Sequence, residues 1–186
     1  MLSAILFAAG LSERMGKDKL MLDFDGKPIL QHSVDLLHEI PVFQRILITT
    51  EVRLKQINIQ NNIQVIINHQ PAKGKSESIR LGVEAANGTH FLFLQADQPK
   101  LKRSDIVSLL DAAAINKDKI IYPIVNNEPC SPTIFPVKFR SELLSLSGDT
   151  GGSVIREANK EYCFGAEMIN PANFSDINTI EDYSGI

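Results

Sequence analysis

The amino-acid sequence predicts an α/β protein with a mostly parallel sheet and helices on both faces. Short apolar runs rich in β-branched residues alternate with longer segments in which apolar residues recur at helical spacing. No internal repeat, low-complexity tract or Pro/Ser-rich linker interrupts this alternation. A length of 186 residues, of which 44% are hydrophobic, suits one domain with a sizeable core. We therefore expect residues 1–186 to form a single domain.

The composition argues against two classes of function. The chain carries 19 Lys and Arg against 22 Asp and Glu, a formal net charge of −3, whereas a general nucleic-acid-binding protein is usually basic. No apolar run approaches the roughly 20 residues of a membrane-spanning helix. The apolar run at the N-terminus is short and no positive residue precedes it, which indicates a core strand rather than a signal peptide. We expect a cytoplasmic protein that binds neither nucleic acid nor membranes.

The first informative stretch joins a strand over residues 3–8 to a polar loop over residues 10–19. The strand ends in small residues, Ala8, Ala9 and Gly10, which would let a flat or charged ligand approach the main chain. Arg14 and Lys19 then supply positive charge, the first as a planar fork and the second as a point charge. From the residues alone, this stretch is compatible with an anion-binding loop or with an ordinary strand-to-helix connection.

The spacing within this loop excludes the common phosphate-binding fingerprints. A Walker A loop has four residues between its glycines and a Ser or Thr after its Lys. Here five residues separate Gly10 from Gly16, and Asp18 follows Lys17. The Gly-x-Gly-x-x-Gly pattern of dinucleotide-binding proteins does not occur here either.

The next segments alternate between helix and strand. A turn at residues 25–28 leads into a helix whose apolar residues recur at helical spacing up to Ile40. Residues 45–49 and 64–68 are rich in β-branched side chains and are predicted to be strands. Gly74 permits a tight turn before a helix that Ser76 or Ser78 could cap. The N–H groups at the start of this helix favour an anion, although a well-capped helix without a ligand explains the stretch equally.

A second informative stretch, residues 91–99, ends an apolar strand in a short polar segment. Pro99 forbids continuation as a central strand, which places Asp97 at the carboxyl end of a core strand. Ligands of open α/β sheets bind at these strand ends. A carboxylate there suits Mg²⁺, a hard ion that takes oxygen ligands, although an Asp that starts a turn is also common without a metal.

The remaining chain continues the alternation. Ser104 is predicted to cap a helix, residues 119–125 to form a strand, and residues 131–135 to return antiparallel after a turn. Residues 139–146 have the pattern of an amphipathic helix. A Gly-rich segment at residues 148–152 opens another helix and could hold phosphate, or connect two helices with Asp149 as an N-cap. A last extended piece over residues 174–178 precedes a terminal helix that starts as a capping box at Thr179.

Five motifs, in order along nearly the whole chain, resemble those of the molybdopterin nucleotidyltransferases. The first, Phe-Ala-Ala-Gly-Leu-Ser-Glu-Arg-Met-Gly-Lys-Asp-Lys at residues 7–19, departs from the family's Leu-Ala-Ala-Gly-x-Ser-x-Arg-Met-Gly-x-x-Lys only at Phe7. The others are Asp-Phe-Asp-Gly-Lys-Pro-Ile-Leu at 23–30, Gln-Ala-Asp-Gln-Pro at 95–99, Leu-Ser-Gly-Asp-Thr-Gly-Gly at 146–152 and Asp-Ile-Asn-Thr-Ile-Glu-Asp-Tyr at 176–183. The group that matches best is the molybdenum cofactor cytidylyltransferases. The resemblance implies a single-domain, Rossmann-like fold of the nucleotide-diphospho-sugar transferase type.

The resemblance also implies a reaction and a set of site residues. The phosphate of molybdopterin, already carrying molybdenum, would attack the α-phosphate of CTP and release pyrophosphate. Asp97 would hold Mg²⁺, and Arg14 and Lys19 would stabilise charge that develops on the triphosphate. The residues expected to line the nucleotide site are Ala8, Ala9, Gly10, Ser12, Gly74 and Ser78. Those expected to add a metal contact are Asp176 and Asn178, and those expected on the molybdopterin side are Gly148, Asp149 and Gly151.

Alternative functions remain open at this point. Within the same fold, the enzyme could transfer GMP to the same cofactor, or activate a sugar or alcohol phosphate. A molybdenum cofactor chaperone that only binds is an alternative of another class, against which the set of Arg14, Lys19 and Asp97 argues. A molybdoenzyme that receives the product is a further possible partner. The resembling cytidylyltransferases carry Ala-Ala-Gly at residues 8–10 and guanylyltransferases carry Ala-Gly-Gly, so the Ala9 methyl favours CTP by taking space that guanine would need.

Overall fold

The computed structural model describes residues 1–11 and 18–177. The strands in these ranges are β1 (Leu2–Ala8), β2 (Asp23–Phe24), β3 (Lys27–Pro28), β4 (Gln44–Thr49), β5 (Gln64–Ile67), β6 (His90–Gln95), β7 (Ile120–Val125), β8 (Glu128–Pro129), β9 (Thr133–Pro136) and β10 (Cys163–Glu167). The α-helices are α1 (Ile29–Glu39), α2 (Glu51–Leu54), α3 (Lys75–Ala85), α4 (Arg103–Ile115), α5 (Arg140–Ser145) and α6 (Gly152–Ala158). Among the helices of these described ranges, none is long and apolar enough to cross a membrane.

The central sheet is mixed but mostly parallel, with the strand order β10-β7-β9-β6-β1-β4-β5 and with β8 paired to β7. Strand β1 pairs in parallel with β4 and with β6, so that Ala8 lies opposite Thr49 and Phe7 lies opposite Gln95. Strand β9 runs antiparallel between β6 and β7, as predicted for residues 131–135. The strands β2 and β3 form a separate small hairpin.

Helices cover both faces of the sheet because successive side chains of each strand point to opposite faces. Ala4, Leu6 and Ala8 of β1 belong to one buried cluster, to which α1 and α4 contribute their apolar sides. Ile5 and Ala9 belong to a second cluster on the opposite face, which packs against α3, α5 and α6. Burial on both faces explains the near-continuous apolar sequence of β1. The predicted fold class is confirmed.

Helix α3 lies unusually close to the centre of the sheet. Gly82 faces β1, and a Cβ at this position would come within 2.5 Å of the Ile5 Cγ2 atom. The absence of a side chain at Gly82 therefore lets α3 pack directly on β1. As a result, the N-terminal turn of α3 lies beside the carboxyl end of β1, where the candidate site is found.

Several local predictions were wrong in their details. The cap of α3 is Gly74, so Ser76 and Ser78 lie inside the first turn rather than before it. Helix α4 begins at Arg103, so Ser104, the predicted cap, lies inside the first turn and Lys102 is the cap residue. The Asp105 carboxylate accepts a hydrogen bond from the Lys102 backbone N–H at 2.9 Å. Of the extended piece predicted over residues 174–178, Phe174 instead ends a 3₁₀ turn, Pro171–Phe174, Ser175 is extended, and residue 178 lies outside the described residues. The strand β10 was not predicted. The terminal helix predicted from Thr179 lies outside the described residues.

Candidate active site

A cavity of about 790 Å³ opens at the carboxyl ends of β1 and β6. Since β9 runs antiparallel to β6, its first residues reach the same edge of the sheet. The cavity lies on the face covered by α3 and α6, and the starts of both helices contribute to its walls. Parallel α/β sheets bind ligands at this edge. The cavity is therefore the candidate active site.

The floor of the cavity is aromatic. Phe7, Phe93 and Phe135 line it from the neighbouring strands β1, β6 and β9. The rings of Phe7 and Phe93 meet edge to face with centroids 5.0 Å apart, and those of Phe93 and Phe135 are 5.1 Å apart. An apolar floor beneath charged walls strengthens electrostatic contacts made above it, because it excludes water.

The central feature of the cavity is an ion pair between Lys19 and Asp97. The Lys19 Nζ atom donates to the Asp97 Oδ2 atom at 2.7 Å, and the two side chains are 19% and 18% exposed. Lys19 begins a 3₁₀ turn, Lys19–Met21, and Asp97 follows the carboxyl end of β6. Two residues that are 78 positions apart in sequence are thus brought together at the centre of the site. Both line the cavity.

Arg53 holds the start of the Lys19 turn in place. Its Nε and Nη2 atoms donate to the two carboxylate oxygens of Asp18 at 2.7 and 2.9 Å, and its Nη1 atom donates to the Ala8 carbonyl at 2.7 Å. The Asp18 carboxylate in turn accepts from the Leu20 N–H at 3.2 Å and caps the turn. Arg53 therefore links the end of β1 to the segment that presents Lys19.

The N-terminus of α3 is occupied by residues from the Gly-rich segment. The Gly148 carbonyl accepts hydrogen bonds from the Ser76 N–H at 3.2 Å and from the Ser76 hydroxyl at 2.7 Å. The Asp149 carboxylate accepts from the Lys75 N–H at 3.3 Å. Two of the N–H groups that could bind an anion are thus used within the protein. Asp149 itself lines the cavity, so an anionic ligand could replace its carboxylate at this helix end.

Gly74 makes this contact possible. Its φ of +89° lies in the left-handed region, which residues with a Cβ rarely adopt, and a Cβ would come within 2.4 Å of the Gly148 carbonyl oxygen. The backbones of the two segments can therefore approach closely only because Gly74 has no side chain.

A chain of hydrogen bonds behind Asp97 positions the opposite wall of the cavity. Gln98 is 2% exposed, and its amide nitrogen donates to the Ser131 carbonyl at 3.3 Å and to the Phe174 carbonyl at 3.1 Å. The Asp97 carbonyl accepts from the Ile177 N–H at 2.9 Å. These contacts bring Asp176 to the cavity beside the strand end that carries Asp97.

Arg156 of α6 lines the same end of the cavity. Its guanidinium carbon lies 5.0 Å from the centroid of the Tyr122 ring on β7, and its side chain is 15% exposed. Burial chiefly raises the pKa of the nearby Cys130 thiol; the charge of Asp176 acts in the same direction and the charge of Arg156 opposes it. Asp176 and Arg156 therefore lie within electrostatic range of the same half-buried thiol.

The structure brings most of the predicted site residues to one cavity. The predicted residues that line it are Ala9, Gly10, Lys19, Gly74, Ser78, Asp97, Asp149, Gly151 and Asp176. Ala8 does not line the cavity, since its side chain packs on the opposite face of the sheet and its carbonyl binds Arg53. Gly148 contributes its carbonyl to the start of α3. Ser12, Arg14 and Asn178 lie outside the described residues. The roles assigned to all these residues stay predictions.

Ser78 lines the cavity, but its hydroxyl also has a partner within the protein. The Asn68 side-chain amide donates to the Ser78 oxygen at 3.1 Å, and Asn68 is 3% exposed. This bond leaves the hydroxyl hydrogen and one lone pair of Ser78 for a ligand contact.

Three carboxylates line the cavity, and two of them, those of Asp97 and Asp176, were predicted to contact a divalent cation. Carboxylate oxygens are the donors that Mg²⁺ prefers, so the residue types fit this ion. Within residues 1–11 and 18–177, no three His, Cys, Asp or Glu side chains form a cluster that could hold a metal. A cation at Asp97 would compete with the Lys19 ammonium for the same carboxylate.

Sequence reasoning missed two arginines of the site. Arg53 lies in α2, the short helix that follows the carboxyl end of β4, the neighbour of β1, and an Arg so close to such a strand end is a signal that could have been used. Arg156 follows the Gly-rich segment by one turn of helix, but nothing in its local pattern distinguishes it from a solvated helix residue.

Comparison with known proteins identifies relatives over most of the chain. A family model described as the MobA-like NTP transferase domain matches residues 4–162. A probable molybdenum cofactor guanylyltransferase of Bacillus cereus strain Q1 is 22% identical, covering 97% of this chain and 93% of that protein. The molybdenum cofactor cytidylyltransferase of Escherichia coli strain K12 is 30% identical, covering 72% of this chain and 69% of that protein.

Solved structures share the fold. A nucleotidyl transferase from Methanothermobacter superposes with a TM-score of 0.80 at 21% identity, covering all of this chain and 95% of that chain. At this identity the likeness concerns the fold alone. It agrees with the mostly parallel sheet and its covering helices.

Proposed function

The chain belongs to the MobA-like NTP transferase family, and from that premise we propose that it transfers CMP from CTP to the phosphate of molybdopterin, or of molybdopterin that already carries molybdenum. An oxygen of the acceptor phosphate forms a bond to the α-phosphorus of CTP. The bridging bond between the α- and β-phosphates breaks, and its electron pair leaves with pyrophosphate. The reaction requires no covalent enzyme intermediate.

The observation that carries this proposal is the 2.7 Å pair of Lys19 and Asp97 inside the cavity. Nucleotidyl transfer brings two anionic reactants together, so the site must supply positive charge where negative charge increases. Lys19 is a cation held over the strand ends by the Arg53–Asp18 contact rather than left on a mobile loop. Such preorganisation lowers the cost of reorganising charge at the moment of reaction.

Different residues of the cavity would bind the nucleotide, stabilise charge, hold the metal and exclude water. The small strand end at Ala9 and Gly10 admits the nucleotide next to the main chain, and the start of α3 favours its phosphates. Lys19 stabilises negative charge on the triphosphate. Asp97, with Asp176, would hold Mg²⁺, which when bound neutralises charge on the phosphates. Phe93 and Phe135 exclude water from beneath the reacting groups.

The preference for CTP rests on Ala9, which is 1% exposed and lines the cavity. Its methyl group occupies space at the strand end that a purine, with two rings, would need more than a pyrimidine. Relatives of both kinds occur, one described as a guanylyltransferase and one as a cytidylyltransferase. GMP transfer to the same cofactor is therefore the second candidate.

The test is a pyrophosphate-release assay of the purified protein with molybdopterin, Mg²⁺ and each of the four nucleoside triphosphates in turn. We expect release that depends on molybdopterin and is fastest with CTP. Fastest release with GTP would replace the proposal by its second candidate. Release of pyrophosphate with a sugar or alcohol phosphate, and not with molybdopterin, would show that molybdopterin is not the acceptor substrate. Binding of molybdopterin without any release would indicate a chaperone.

A further inference from the structure

One guanidinium that lines the cavity has few partners among the described residues of the protein. Arg156 is 15% exposed, yet within the described part of the chain its guanidinium donates no hydrogen bond. Its ion-pair partner, Glu157, is 3.9 Å away and 68% exposed. A guanidinium has five N–H donors, and those of Arg156 are not closed off from the cavity, since its nitrogens are not among the buried side-chain atoms that lack a partner. A ligand in the cavity can therefore accept hydrogen bonds from these donors.

The position of Arg156 separates it from the nucleotide end of the cavity. Its guanidinium packs over Tyr122 on β7, whereas Ala9 and Gly10 follow β1. The strands β9 and β6 lie between β7 and β1. Three inter-strand steps correspond to about 14 Å across the sheet. Asp97, at the end of β6, lies between the two ends, which is where the reacting phosphates would meet.

The charges in the cavity support the same separation between a nucleotide end at β1 and an Arg156 end at β7. Lys19 is paired with Asp97, and Lys75 stands at the start of α3, near the nucleotide end. Arg156 instead lies on α6, whose cavity-lining neighbours Gly152 and Ser153 carry no charge. The charges of Asp176 and Arg156 both act on the Cys130 thiol. Within the described residues the ion-pair partner of Arg156 is the exposed Glu157, 3.9 Å away, so Arg156 keeps its positive charge available at this end.

Building on the proposed function, we propose that Arg156 binds the acceptor substrate by donating hydrogen bonds to its phosphate group. The guanidinium fork matches two oxygens of a phosphate, and stacking on Tyr122 fixes the plane of the fork. The nucleotide then occupies the β1 end and the acceptor phosphate the β7 end of one cavity. Gly151 also lines the cavity just before α6, and a Cβ there would meet nothing within 4 Å, so this part of the wall is open.

The experiment measures binding and turnover separately for Arg156→Gln, Arg156→Lys and a control, Arg140→Gln. The control removes another arginine that packs on a ring, 5.7 Å from the Phe91 centroid, but that does not line the cavity. Molybdopterin affinity is titrated directly through the fluorescence of the pterin, and CTP affinity by calorimetry. Melting temperatures of all variants confirm that each is folded at the assay temperature.

We expect Arg156→Gln to weaken molybdopterin binding by about tenfold to a hundredfold, the range for one hydrogen-bonded charged contact, with CTP affinity changed less than twofold. In the transfer assay the same variant should raise the molybdopterin KM more than it lowers kcat. Arg156→Lys should recover part of the affinity, because a point charge replaces the fork. Arg140→Gln should bind molybdopterin like the parent protein.

Three outcomes would overturn the assignment. The first is unchanged molybdopterin affinity in Arg156→Gln, the second is loss of CTP affinity in its place, and the third is failure of the parent protein to bind molybdopterin. The proposed nucleotidyl transfer fails on a different result, the absence of pyrophosphate release with any acceptor. The two failures are thus distinguished by separate measurements on the same proteins.

Discussion

Arg53 donates hydrogen bonds of 2.7 and 2.9 Å to the two carboxylate oxygens of Asp18, from a helix that is only four residues long. The Thr50 hydroxyl accepts from the Arg53 N–H at 3.4 Å and caps this helix. Because the same guanidinium also binds the Ala8 carbonyl, three segments meet at one side chain that is 6% exposed. The geometry at Lys19 therefore depends on a residue that does not itself line the cavity.

Replacing Arg53 by Gln should reduce both stability and turnover. One partner of a charge pair is removed, and the Asp18 side chain is 33% exposed, so the loss in unfolding free energy should be about 1–3 kcal/mol, below that of a fully buried pair. The loosened turn would misplace Lys19, and kcat should fall at least tenfold at a temperature where the variant is folded. Denaturant titration and the pyrophosphate assay measure the two effects.

The matched control for Arg53 is Arg45→Gln. Arg45 also donates to backbone carbonyls, those of Leu37 at 3.0 Å and Ile40 at 2.6 Å, but it does not line the cavity. Its loss should lower stability and leave kcat near that of the parent protein. An Arg53→Gln protein that is destabilised but turns over normally would show that Arg53 serves the fold alone.

Asp97→Asn should lower kcat by about two orders of magnitude or more, the scale seen when an electrostatic group of the transition state is lost. The fold should persist, because the Asp97 carbonyl, which accepts from Ile177, is unchanged. If Asp97 holds Mg²⁺, the concentration of Mg²⁺ needed for half-maximal rate should also rise. Asp35→Asn, which removes an acid paired with Lys27 outside the cavity, is the control. Parent-like turnover and Mg²⁺ dependence in Asp97→Asn would remove this residue from the mechanism.

Lys19→Ala should lower kcat more than it raises the KM for CTP, since its contact is expected to strengthen as negative charge develops. The ion pair with Asp97 makes the two residues interdependent, and their double variant should therefore be less impaired than the product of the single effects. Steady-state kinetics of both single variants and of the double variant give this coupling. A pure KM effect in Lys19→Ala would limit Lys19 to ground-state binding of the nucleotide.

How much of this site the sequence predicts depends on how far apart in the sequence the contacting residues lie. Asp97 and Lys19 were each assigned from a local pattern, a strand end before a proline and a cation in a loop. Their pairing requires β6 to lie next to β1, and strand order is a tertiary property that local periodicity does not contain. The capping of α3 by Gly148 and Asp149 joins residues more than 70 positions apart. The local pattern predicts a serine cap in its place.

Short elements were missed for a related reason. The helix that carries Arg53 has four residues, too few for a hydrophobic period to develop. β10 contains Gly165, and its exposed positions are the apolar Phe164 and the charged Glu167, so its pattern is weak. It is held at the edge of the sheet by pairing with β7. These parts form because distant segments pack on them, which a single-sequence pattern does not record.

Gly74→Ala should destabilise the protein by about 1–3 kcal/mol, from a strained backbone and from the clash with the Gly148 carbonyl. Gly148→Ala is the matched comparison, because its φ of +63° is also left-handed but a Cβ there meets nothing within 4 Å. Its cost should be the smaller, about 1 kcal/mol. Urea titration of both variants gives the difference. Equal costs would mean that the contact between the two segments adds nothing beyond backbone strain.

The choice between CTP and GTP gives the last prediction. Ala9 contributes a methyl group at the end of β1 and is 1% exposed, within the cluster that faces α3. Ala9→Gly should narrow the CTP preference in kcat/KM without abolishing activity, by about tenfold, because discrimination by apolar size is worth only about 1–3 kcal/mol. Ala86→Gly removes a methyl from the same cluster outside the cavity and should leave the ratio unchanged. The measurement is kcat/KM for both nucleotides, with molybdopterin as acceptor, in the parent protein and both variants. An unchanged ratio in Ala9→Gly would reject the methyl as the selecting group, whereas a parent protein that prefers GTP would reject the CTP preference itself.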